Sequence, residues 1–405
     1  MSRKSVSRRT FGAMIGGLGV TAISAGRASA QGSDVVKVGA PLPLTGPLSP
    51  EGLKQQRGYN LWAETVNAKG GIKAGGKAYK VEIVYVDYAS NTPRAVQSAE
   101  RLITQDGVSF LFAPFGSGAT KATTSVSEKY EIPMIAPSAS ATEIFDQGYK
   151  YIFSTLTPNE SVAEPLAEAI TQNKSIKRLA ILARNDLFPL AIARAVEAAA
   201  KPRGVEVVMF ERYAIGVLDH SAAITQMRAA DPDWVLGTGY INDLVAMRKQ
   251  IADLGVKSLA ISMIAGPAYK EFVEASGTLA NNVSSVSWWH PAVRYQGKDV
   301  FGSTEGFNAA FTAKYKSDAD YIEASSAACG TVVQLGMEAA NSADPKVVRN
   351  AIAKLDVETS YGRVRFGATG QINSLEPPVF QIQGGNPVVI SPKAIKQGEL
   401  RYTAK

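Results

Sequence analysis

The sequence predicts an α/β protein with two lobes, each made of parallel βαβ units. Short apolar segments alternate with helix-like segments along most of the 405-residue chain, and this alternation is typical of parallel sheets covered by helices. It occurs in two series, over about residues 35–139 and about residues 178–289. A length of about 375 residues after the N-terminal segment also favours two domains.

The first series contains four predicted strands with helices between them. The strands are assigned to residues 35–44, 80–89, 108–115 and 132–139. One predicted helix ends at Gly70–Gly71, and "TPRAVQSAERLITQDG" at 92–107 predicts another. Ligands of parallel sheets bind where strands end and loops begin. The turns after "FAPF" and "MIAP" are therefore candidate binding loops.

The second series contains five predicted strands and is followed by helices. The strands are assigned to residues 178–184, 205–213, 234–239, 259–264 and 282–289. Further helices are predicted near 301–316, 321–341 and 345–355, and short strands at 364–366 and 379–385. Two facing lobes would bring their strand ends together across a shared cleft, where a binding site is expected.

Residues 1–30 are predicted to be a signal peptide. The segment begins with basic residues, continues with an uncharged run from Phe11 to Gly26 and ends in "ASA", with a cleavage site after Ala30. The motif "SRRTF" resembles a twin-arginine signal, and an ordinary Sec signal is the alternative. The sequence therefore predicts export to the periplasm.

The basic charge of the chain belongs largely to this segment. The full sequence has 43 Lys and Arg residues, 36 Asp and Glu residues and a formal net charge of +7. Five basic residues and no acidic residue lie in residues 1–30, so the remainder carries +2. Such a small charge gives no indication of nucleic-acid binding.

Two glycine-rich segments do not meet the requirements for nucleotide binding. "GIKAGGKA" at 71–78 lacks the Ser or Thr of a P-loop, and it follows a helix and precedes a strand, the reverse of the required order. Gly116 and Gly118 begin a G-x-G pattern, but Lys121 stands where the third glycine belongs. No nucleotide cofactor is therefore predicted.

Catalytic and metal-binding motifs are also missing from the sequence. The two histidines are His220 and His290, and the polar segment around His220 predicts an exposed side chain. No G-x-S-x-G elbow, H-E-x-x-H motif or calcium loop occurs. The sequence predicts a protein without enzyme activity, cofactor or metal.

The turn after "FAPF" is suited to an anion. Gly116 and Gly118 lack Cβ atoms and leave the backbone N–H groups unobstructed. Ser117 adds a hydroxyl, and a helix predicted to begin near Ala119 points its positive end at the same place. The next strand ends in "APSASAT", which is again small and hydroxylated. Such turns suit a carboxylate better than a triphosphate; two ordinary small-residue turns are the alternative.

At these turns the sequence resembles a known family. "GAPLPLTGPLSPEG", "NAKGGI", "GSGAT" and "PMIAPSASAT" are similar in order and spacing to segments of the type I periplasmic binding proteins of ABC transporters, in the branch that binds leucine, isoleucine and valine. The resemblance extends over about residues 34–390. It implies two doubly wound Rossmann-like lobes joined by three hinge crossovers, near Thr155–Pro158, Ser287–Pro291 and Thr359–Gly362.

The resemblance also implies how the chain divides between the lobes. Lobe 1 is predicted to comprise residues 34–156 and 290–358, and lobe 2 residues 157–289 and 359–391. Residues 392–405 are left as a C-terminal tail. Each lobe thus combines two separate parts of the chain.

The family's ligand contacts correspond to the two small-residue loops and to two aromatic residues. The carboxylate site corresponds to the first loop and the ammonium-side contacts to the second. The loop residues are Gly116, Ser117, Gly118, Ser138, Ala139 and Ser140. Tyr240 matches an aromatic residue that closes over the ligand, and Phe188 stands where a tyrosine is common. Packing on the lobe surface is the alternative role of both aromatics.

The sequence departs from the family at the ligand's ammonium group. Amino-acid binders of this branch have an acidic residue after the strand that corresponds to "LAISMI", where this chain has Ala265. Glu51, at a position that is often aromatic in the family, can supply the charge from the other lobe. Trp288, in "SVSWWHP", can stack on an aromatic ligand or pack in the core.

These observations predict the substrate-binding component of an ABC transporter. The expected ligand is a small carboxylate-bearing molecule, with an amino acid of the branched-chain type first and an aromatic carboxylate or an amide as the alternative. The expected partner is an inner-membrane permease, and the expected state is a monomer. A ligand-sensing regulator or an enzyme can share the fold. The export signal argues against the former and the missing catalytic motifs against the latter.

Overall fold

The computed structural model describes residues 34–405, so the signal peptide predicted for residues 1–30 lies outside the described residues. The first part of the described chain alternates strands and helices. The strands are β1 (Asp34–Leu42), β2 (Ile72–Ala74), β3 (Lys77–Asp87), β4 (Phe110–Phe112), β5 (Met134–Ala136) and β6 (Ile152–Ser154). The helices are α1 (Ser49–Ala68), α2 (Thr92–Thr104) and α3 (Ser117–Tyr130).

The chain continues with a second alternation and a helical segment. The helices are α4 (Asn159–Ile170), α5 (Leu187–Ala200), α6 (Ser221–Ala229), α7 (Ile241–Asp253), α8 (Lys270–Ser276), α9 (Thr304–Tyr315), α10 (Tyr321–Ala340) and α11 (Pro345–Ile352). The strands are β7 (Arg178–Arg184), β8 (Glu206–Tyr213), β9 (Trp234–Thr238), β10 (Ala260–Ile264), β11 (Val283–Val286), β12 (Asp356–Thr359), β13 (Gly362–Arg365), β14 (Val379–Gln383) and β15 (Asn386–Ser391). Within residues 34–405, no helix has both the length and the apolar character needed to cross a membrane.

Two separate sheets form the centres of two lobes. The first has the order β2-β3-β1-β4-β5-β6 and is parallel except for the β2–β3 pair. The second has the order β15-β14-β11-β10-β9-β7-β8 and is parallel from β11 to β8. Parallel strands are buried by helices on both faces, which explains their nearly continuous apolar sequences. The predicted α/β class with two doubly wound lobes is confirmed.

The chain passes between the two sheets three times. It leaves the first sheet after β6 and enters α4, which packs against α5 beside the second sheet. It returns after β11 to the segment that contains α10, which packs against α1. The β12–β13 hairpin then precedes β14 of the second sheet. Three connections of this kind give the lobes a common hinge region.

Two glycines allow α10 to pack closely on α1. A Cβ atom on Gly58 would lie 2.3 Å from the carbonyl oxygen of Glu323, and one on Gly330 would lie 2.0 Å from the indole ring of Trp62. Both distances are far below van der Waals contact, so a side chain at either glycine would separate the helices. The close packing fixes α10 to the first lobe and places its first residue, Tyr321, at the cleft.

The C-terminal segment after β15 packs on the second lobe. The Tyr402 hydroxyl lies 3.2 Å from the Ala169 carbonyl oxygen and donates to it, and the Thr403 N–H donates to the Leu259 carbonyl oxygen at 2.9 Å. Residues 392–405, which the sequence left outside both lobes, are therefore in contact with α4 and with the residue that precedes β10.

Candidate functional site

A cavity lies between the two lobes, beside the carboxyl ends of their parallel strands. Its empty space is about 240 Å³, including its open mouth. The lining residues are Phe115, Gly116, Ser138, Ser140, Leu156, Phe188, Tyr240, Trp288 and Tyr321. All of these except Phe115, Leu156 and Tyr321 are residues that the sequence indicated. The other residues indicated by the sequence, which are not part of the lining, are Ser117, Gly118, Ala139, Glu51 and Ala265.

Ser117 joins the two small-residue loops of the first lobe. It is fully buried and begins α3, two residues before the predicted start near Ala119. Its hydroxyl oxygen accepts the backbone N–H groups of Ser140 and Ala141, each at 3.3 Å. The first N–H groups of a helix have no partner within the helix, so the N-terminal turn of α3 presents donors beside the cavity.

The second loop contributes two hydroxyl groups to the cavity lining. The Ser138 hydroxyl is buried and has no hydrogen-bond partner among residues 34–405. The Ser140 hydroxyl donates to Asn159 Oδ1 at 2.7 Å, whereas the amide nitrogen of Asn159 has no partner in the same part of the chain. Ala139 is different, because its side chain is in the core and its carbonyl oxygen accepts the Ser154 hydroxyl at 2.9 Å. Ser138 on the loop and Asn159 at the start of α4 therefore have unused donors.

Gly116 and Gly118 lie where the second lobe approaches the first. Gly116 has a φ of 86°, and a Cβ there would lie 3.1 Å from the Tyr240 hydroxyl oxygen. A Cβ on Gly118 would lie 3.1 Å from Asp186 Oδ1. Glycine is thus required at 116 for two reasons, its left-handed backbone and the closeness of Tyr240.

Aromatic side chains form most of the remaining lining. The Tyr240 ring lies 5.4 Å from that of Phe115, and the Trp288 ring lies 6.0 Å from Phe188 and 5.4 Å from Tyr321. The indole N–H of Trp288 donates to the Thr157 carbonyl oxygen at 2.9 Å, which satisfies its polar group. Such a surface is suited to an apolar or aromatic ligand group.

The adjacent tryptophans of "SVSWWHP" have different surroundings. Trp288 lines the cavity, whereas Trp289 lies edge-on to Phe307 at 5.8 Å between centroids. Trp288 therefore lies at the cavity, whereas Trp289 packs in the core.

An ion pair supports Tyr240 from the second lobe. One guanidinium nitrogen of Arg184 lies 2.8 Å from Asp243 Oδ2, and the guanidinium carbon lies 5.0 Å from the centre of the Tyr240 ring. Asp243 also accepts the Tyr240 backbone N–H at 3.1 Å. These contacts hold the Tyr240 backbone and ring in place at the beginning of α7.

Glu51 is a buried carboxylate at the boundary between the lobes. It lies in the first turn of α1, is 1% exposed and has no hydrogen-bond partner for either oxygen among the described residues. Burial raises the pKa of Glu51 to about 7, although the nearby N–H of Ile241 in the second lobe favours the ionised form.

Ala265, the position where the family resemblance placed an acid, is buried at the end of β10. Its backbone has a φ of 85° and a ψ of −57°, a γ-turn conformation that is rare for a residue with a Cβ atom. It does not line the cavity and carries no charge. The acidic residue that the family's amino-acid binders have at this position is therefore replaced by an uncharged one in this chain.

Two contacts link the lobes beside the cavity. Lys54 Nζ of α1 lies 2.7 Å from Asp320 Oδ2 and 3.0 Å from Glu271 Oε1 of the second lobe. The hydroxyl oxygens of Tyr269 and Tyr321 are 2.9 Å apart. These contacts favour the arrangement in which the lobes are closed.

The prediction that His220 is exposed was wrong. His220 is 3% exposed, and its ring lies edge-on to Tyr213 at 4.5 Å between centroids. Burial lowers the pKa of His220, and it also lowers the pKa of His290 to about 4. The polar segment around His220 folds back so that the histidine is the N-cap residue directly before α6, which the composition of the segment does not reveal. Neither histidine lines the cavity.

Sequence reasoning missed Tyr321, the lining residue that comes from α10. The helix start is marked by a capping box in "DYIE": Asp320 Oδ1 accepts the Ile322 N–H, and Glu323 Oε2 accepts the Asp320 N–H, each at 2.8 Å. The motif indicates where the helix begins, but only the packing of α10 on α1 brings Tyr321 to the cleft.

Two α/β lobes around a cavity with small polar and aromatic lining residues define a protein that binds a small solute between its lobes. A sequence model of periplasmic binding proteins matches residues 35–386. The chain belongs to the periplasmic binding protein family, whose members are solute-binding proteins.

Curated relatives with similar sequences cover most of the chain. The leucine-, isoleucine-, valine-, threonine- and alanine-binding protein of Pseudomonas aeruginosa is 25% identical over 349 residues, which cover 86% of this chain and 90% of that protein. The Leu/Ile/Val-binding protein homolog 8 of Brucella suis is 28% identical over 420 residues, which cover 98% of this chain and 99% of that protein.

Solved structures show the same fold. The branched-chain amino acid transporter substrate-binding protein LivJ of Streptococcus pneumoniae, in complex with isoleucine, has a TM-score of 0.78 and 24% identity, with 89% of this chain and 100% of that chain covered. A solute-binding protein of R. palustris in complex with benzoate has a TM-score of 0.75 and 20% identity, with 92% and 98% covered.

Proposed function

We propose that this protein captures a small amino acid of the branched-chain type and delivers it to an ABC permease. The observation that carries the proposal is the pairing of unused donors with an apolar surface in one cavity. The Ser138 hydroxyl and the first turn of α3 lie beside the aromatic residues Phe188 and Trp288. A carboxylate at the donors would leave an aliphatic side chain in contact with the aromatic rings. The names of the relatives agree with such a ligand.

Capture takes place in two steps. The carboxylate of the solute first binds the loops of the first lobe, where Ser117, Ser138 and the N–H groups of α3 are held together by the hydrogen bonds to Ser140 and Ala141. The second lobe then closes and brings Tyr240 over the solute. Closure is stabilised by the solute because it contacts both lobes, which shifts the open–closed equilibrium. The permease recognises the closed form.

An aromatic carboxylate is the second candidate ligand. The Trp288, Phe188 and Tyr240 rings can contact a flat ligand, and the structural neighbour from R. palustris contains benzoate. Such a ligand would use the same loops for its carboxylate. It differs from an amino acid in having no ammonium group.

We also propose a periplasmic monomer without a catalytic role. Residues 1–30 would be removed after Ala30 during export, and intact-mass analysis of protein recovered from the periplasm should give a chain that begins at Gln31. His220 and His290 lie outside the cavity lining, which supports binding without chemistry. No cofactor or nucleic acid takes part.

A thermal-shift screen tests the proposed ligand class. Each proteinogenic amino acid, benzoate and its ring-substituted relatives would be added separately to the exported protein. A ligand that binds the folded protein raises its unfolding free energy by about 2.7 kcal/mol at 100 times its Kd. We expect leucine, isoleucine or valine to give the largest stabilisation. Stabilisation by benzoate-type acids alone would contradict the amino-acid assignment and favour an aromatic carboxylate as the ligand.

A further inference from the structure

Glu51 lies between the strand ends of the two lobes. It belongs to the first turn of α1, which follows β1 in the first sheet, and its carboxylate is close to the N–H of Ile241, which follows β9 in the second. The loops after parallel strands meet at one edge of a sheet. Glu51 is therefore at the same edge of the first lobe as Ser117 and Ser138.

The Glu51 carboxylate forms no ion pair among the described residues and no hydrogen bond of good geometry there, although the backbone N–H groups of Glu51 and Ile241 lie near it and favour its ionised form. Lys54, whose positive charge acts on Glu51, is bound to Asp320 and Glu271. Arg184, on the other lobe, is bound to Asp243. The charged and titratable groups that face Glu51 are Lys54, Asp243, Tyr88, Tyr240, Tyr269 and Tyr321.

None of the facing groups removes the cost of burying this charge. Burial raises the pKa of each of the four phenols, so they remain neutral near pH 7. The N-terminus of α7 contributes only a partial positive charge. A buried ionised carboxylate without a full countercharge is unfavourable, so Glu51 requires either a proton or a cation from outside the protein.

Glu51 does not line the cavity itself, but it lies behind residues that do. Two of the cavity's lining residues, Tyr240 and Tyr321, are also among the groups that face Glu51. The carboxylate donors of Ser117 and Ser138 lie on the loops after β4 and β5. A solute with its carboxylate on these loops would therefore direct a neighbouring ammonium group toward α1 and α7.

We propose that Glu51 binds the ammonium group of the solute, so that the ligand class is the zwitterionic amino acids rather than acids without an amino group. This inference rests on the proposed function. The charge comes from the first lobe, where it acts together with the carboxylate loops, and the contact with Ile241 brings the second lobe onto the same group. Ala265 has no part in it.

The assignment implies that a proton and the solute compete for Glu51. The pKa of about 7 means that much of the protein without solute carries a proton there at neutral pH. An ammonium group favours the ionised carboxylate, so binding releases that proton. Affinity should fall roughly tenfold for each pH unit below about pH 6, and it should level off above about pH 8.

Matched ligand pairs test the ammonium contact by titration calorimetry. Leucine is compared with 4-methylpentanoate, valine with 3-methylbutanoate and phenylalanine with 3-phenylpropanoate; each acid lacks only the amino group. We expect the Kd of the amino acid that binds to be at least about 30-fold lower than the Kd of its partner acid. This difference corresponds to the loss of one hydrogen bond to a charged group. Equal or tighter binding of the acid overturns the assignment, as does a response to acids alone.

Glu51→Gln tests the residue itself, with Glu64→Gln as a control on the same helix. Glu64 is exposed and pairs with Lys314. Glu51→Gln should weaken amino-acid binding at pH 8 and abolish both the decline at low pH and the proton release, which is measured by calorimetry in two buffers of different ionisation enthalpy. Wild-type proton release serves as the readout if the variant does not fold. Unchanged affinity and pH profile overturn the role of Glu51. In that case the proposed function still holds if the wild type binds an amino acid and Ser117→Ala binds it more weakly under the same conditions.

Discussion

The hydroxyl oxygens of Tyr269 and Tyr321 lie 2.9 Å apart and join the second lobe to the first. Tyr269 precedes α8 of the second lobe, and Tyr321 begins α10, which packs on α1. Both rings are buried and stacked at 5.8 Å. Because the bond joins residues of the two lobes and Tyr321 lines the cavity, it stabilises the arrangement of the lobes around the cavity.

Tyr269→Phe should weaken solute binding without unfolding either lobe. The change removes one hydrogen bond and leaves the Tyr321 hydroxyl unsatisfied in the closed form, at a cost of about 1 kcal/mol. Calorimetric Kd should rise about fivefold. Tyr402→Phe, which removes hydrogen bonds of the C-terminal segment on the second lobe, should leave the Kd unchanged. An unchanged Kd for Tyr269→Phe would mean that this contact does not stabilise closure.

Ser117→Ala should weaken binding by roughly 1–3 kcal/mol, because it removes a buried polar group that organises the carboxylate loops. Its hydroxyl oxygen is the acceptor for two backbone N–H groups. Ser125→Ala, at an exposed position of the same helix, is the control. Calorimetry measures both. If Ser117→Ala binds as tightly as the wild type, Ser117 does not contribute to the site.

Gly116→Ala should reduce affinity more than its effect on stability explains. The backbone at Gly116, with a φ of 86° and a ψ of 152°, is essentially restricted to glycine and costs an alanine about 1–3 kcal/mol, and the new Cβ would lie 3.1 Å from the Tyr240 hydroxyl. Gly148→Ala is matched, since Gly148 has a φ of 76° and no atoms near a new Cβ. Denaturant unfolding measures the loss of stability in each variant, and the Kd should rise in Gly116→Ala alone. A similar rise of the Kd in Gly116→Ala and Gly148→Ala would contradict a role for the close approach of Tyr240.

Glu51→Gln should stabilise the protein without solute at alkaline pH. Burial gives Glu51 a pKa of about 7 in the folded state, above the 4.5 that is usual for a glutamate. The folded state therefore holds more protons between these values, and the free energy of unfolding falls as the pH rises through them. By pH 8 the ionised carboxylate costs up to about 3 kcal/mol. Urea unfolding should show a clear gain in the free energy of unfolding for the variant at pH 8 and a smaller gain at pH 5. A gain that does not depend on pH would contradict the raised pKa of Glu51.

Much of the fold and part of the site followed from the sequence. The apolar strands and the helices between them are local patterns, and the loops at Ser117 and Ser138 follow from strand ends in a parallel sheet. Tyr321 was missed because its place depends on the packing of α10 against α1, which local patterns do not contain. His220 was judged from a polar segment, yet the chain around it folds onto Tyr213. The burial of Glu51 arises only when both lobes meet.

The carboxylate clamp in the first lobe is tested most directly by removing the carboxylate from the ligand. The amino acid that stabilises the protein most in the thermal-shift screen is titrated beside its C-terminal amide, which keeps the side chain and the ammonium group. We predict that the amide binds at least about 30-fold more weakly, because the charge-assisted hydrogen bonds to the α3 turn and Ser138 are lost. Equal affinity of the amide and the acid would contradict the account.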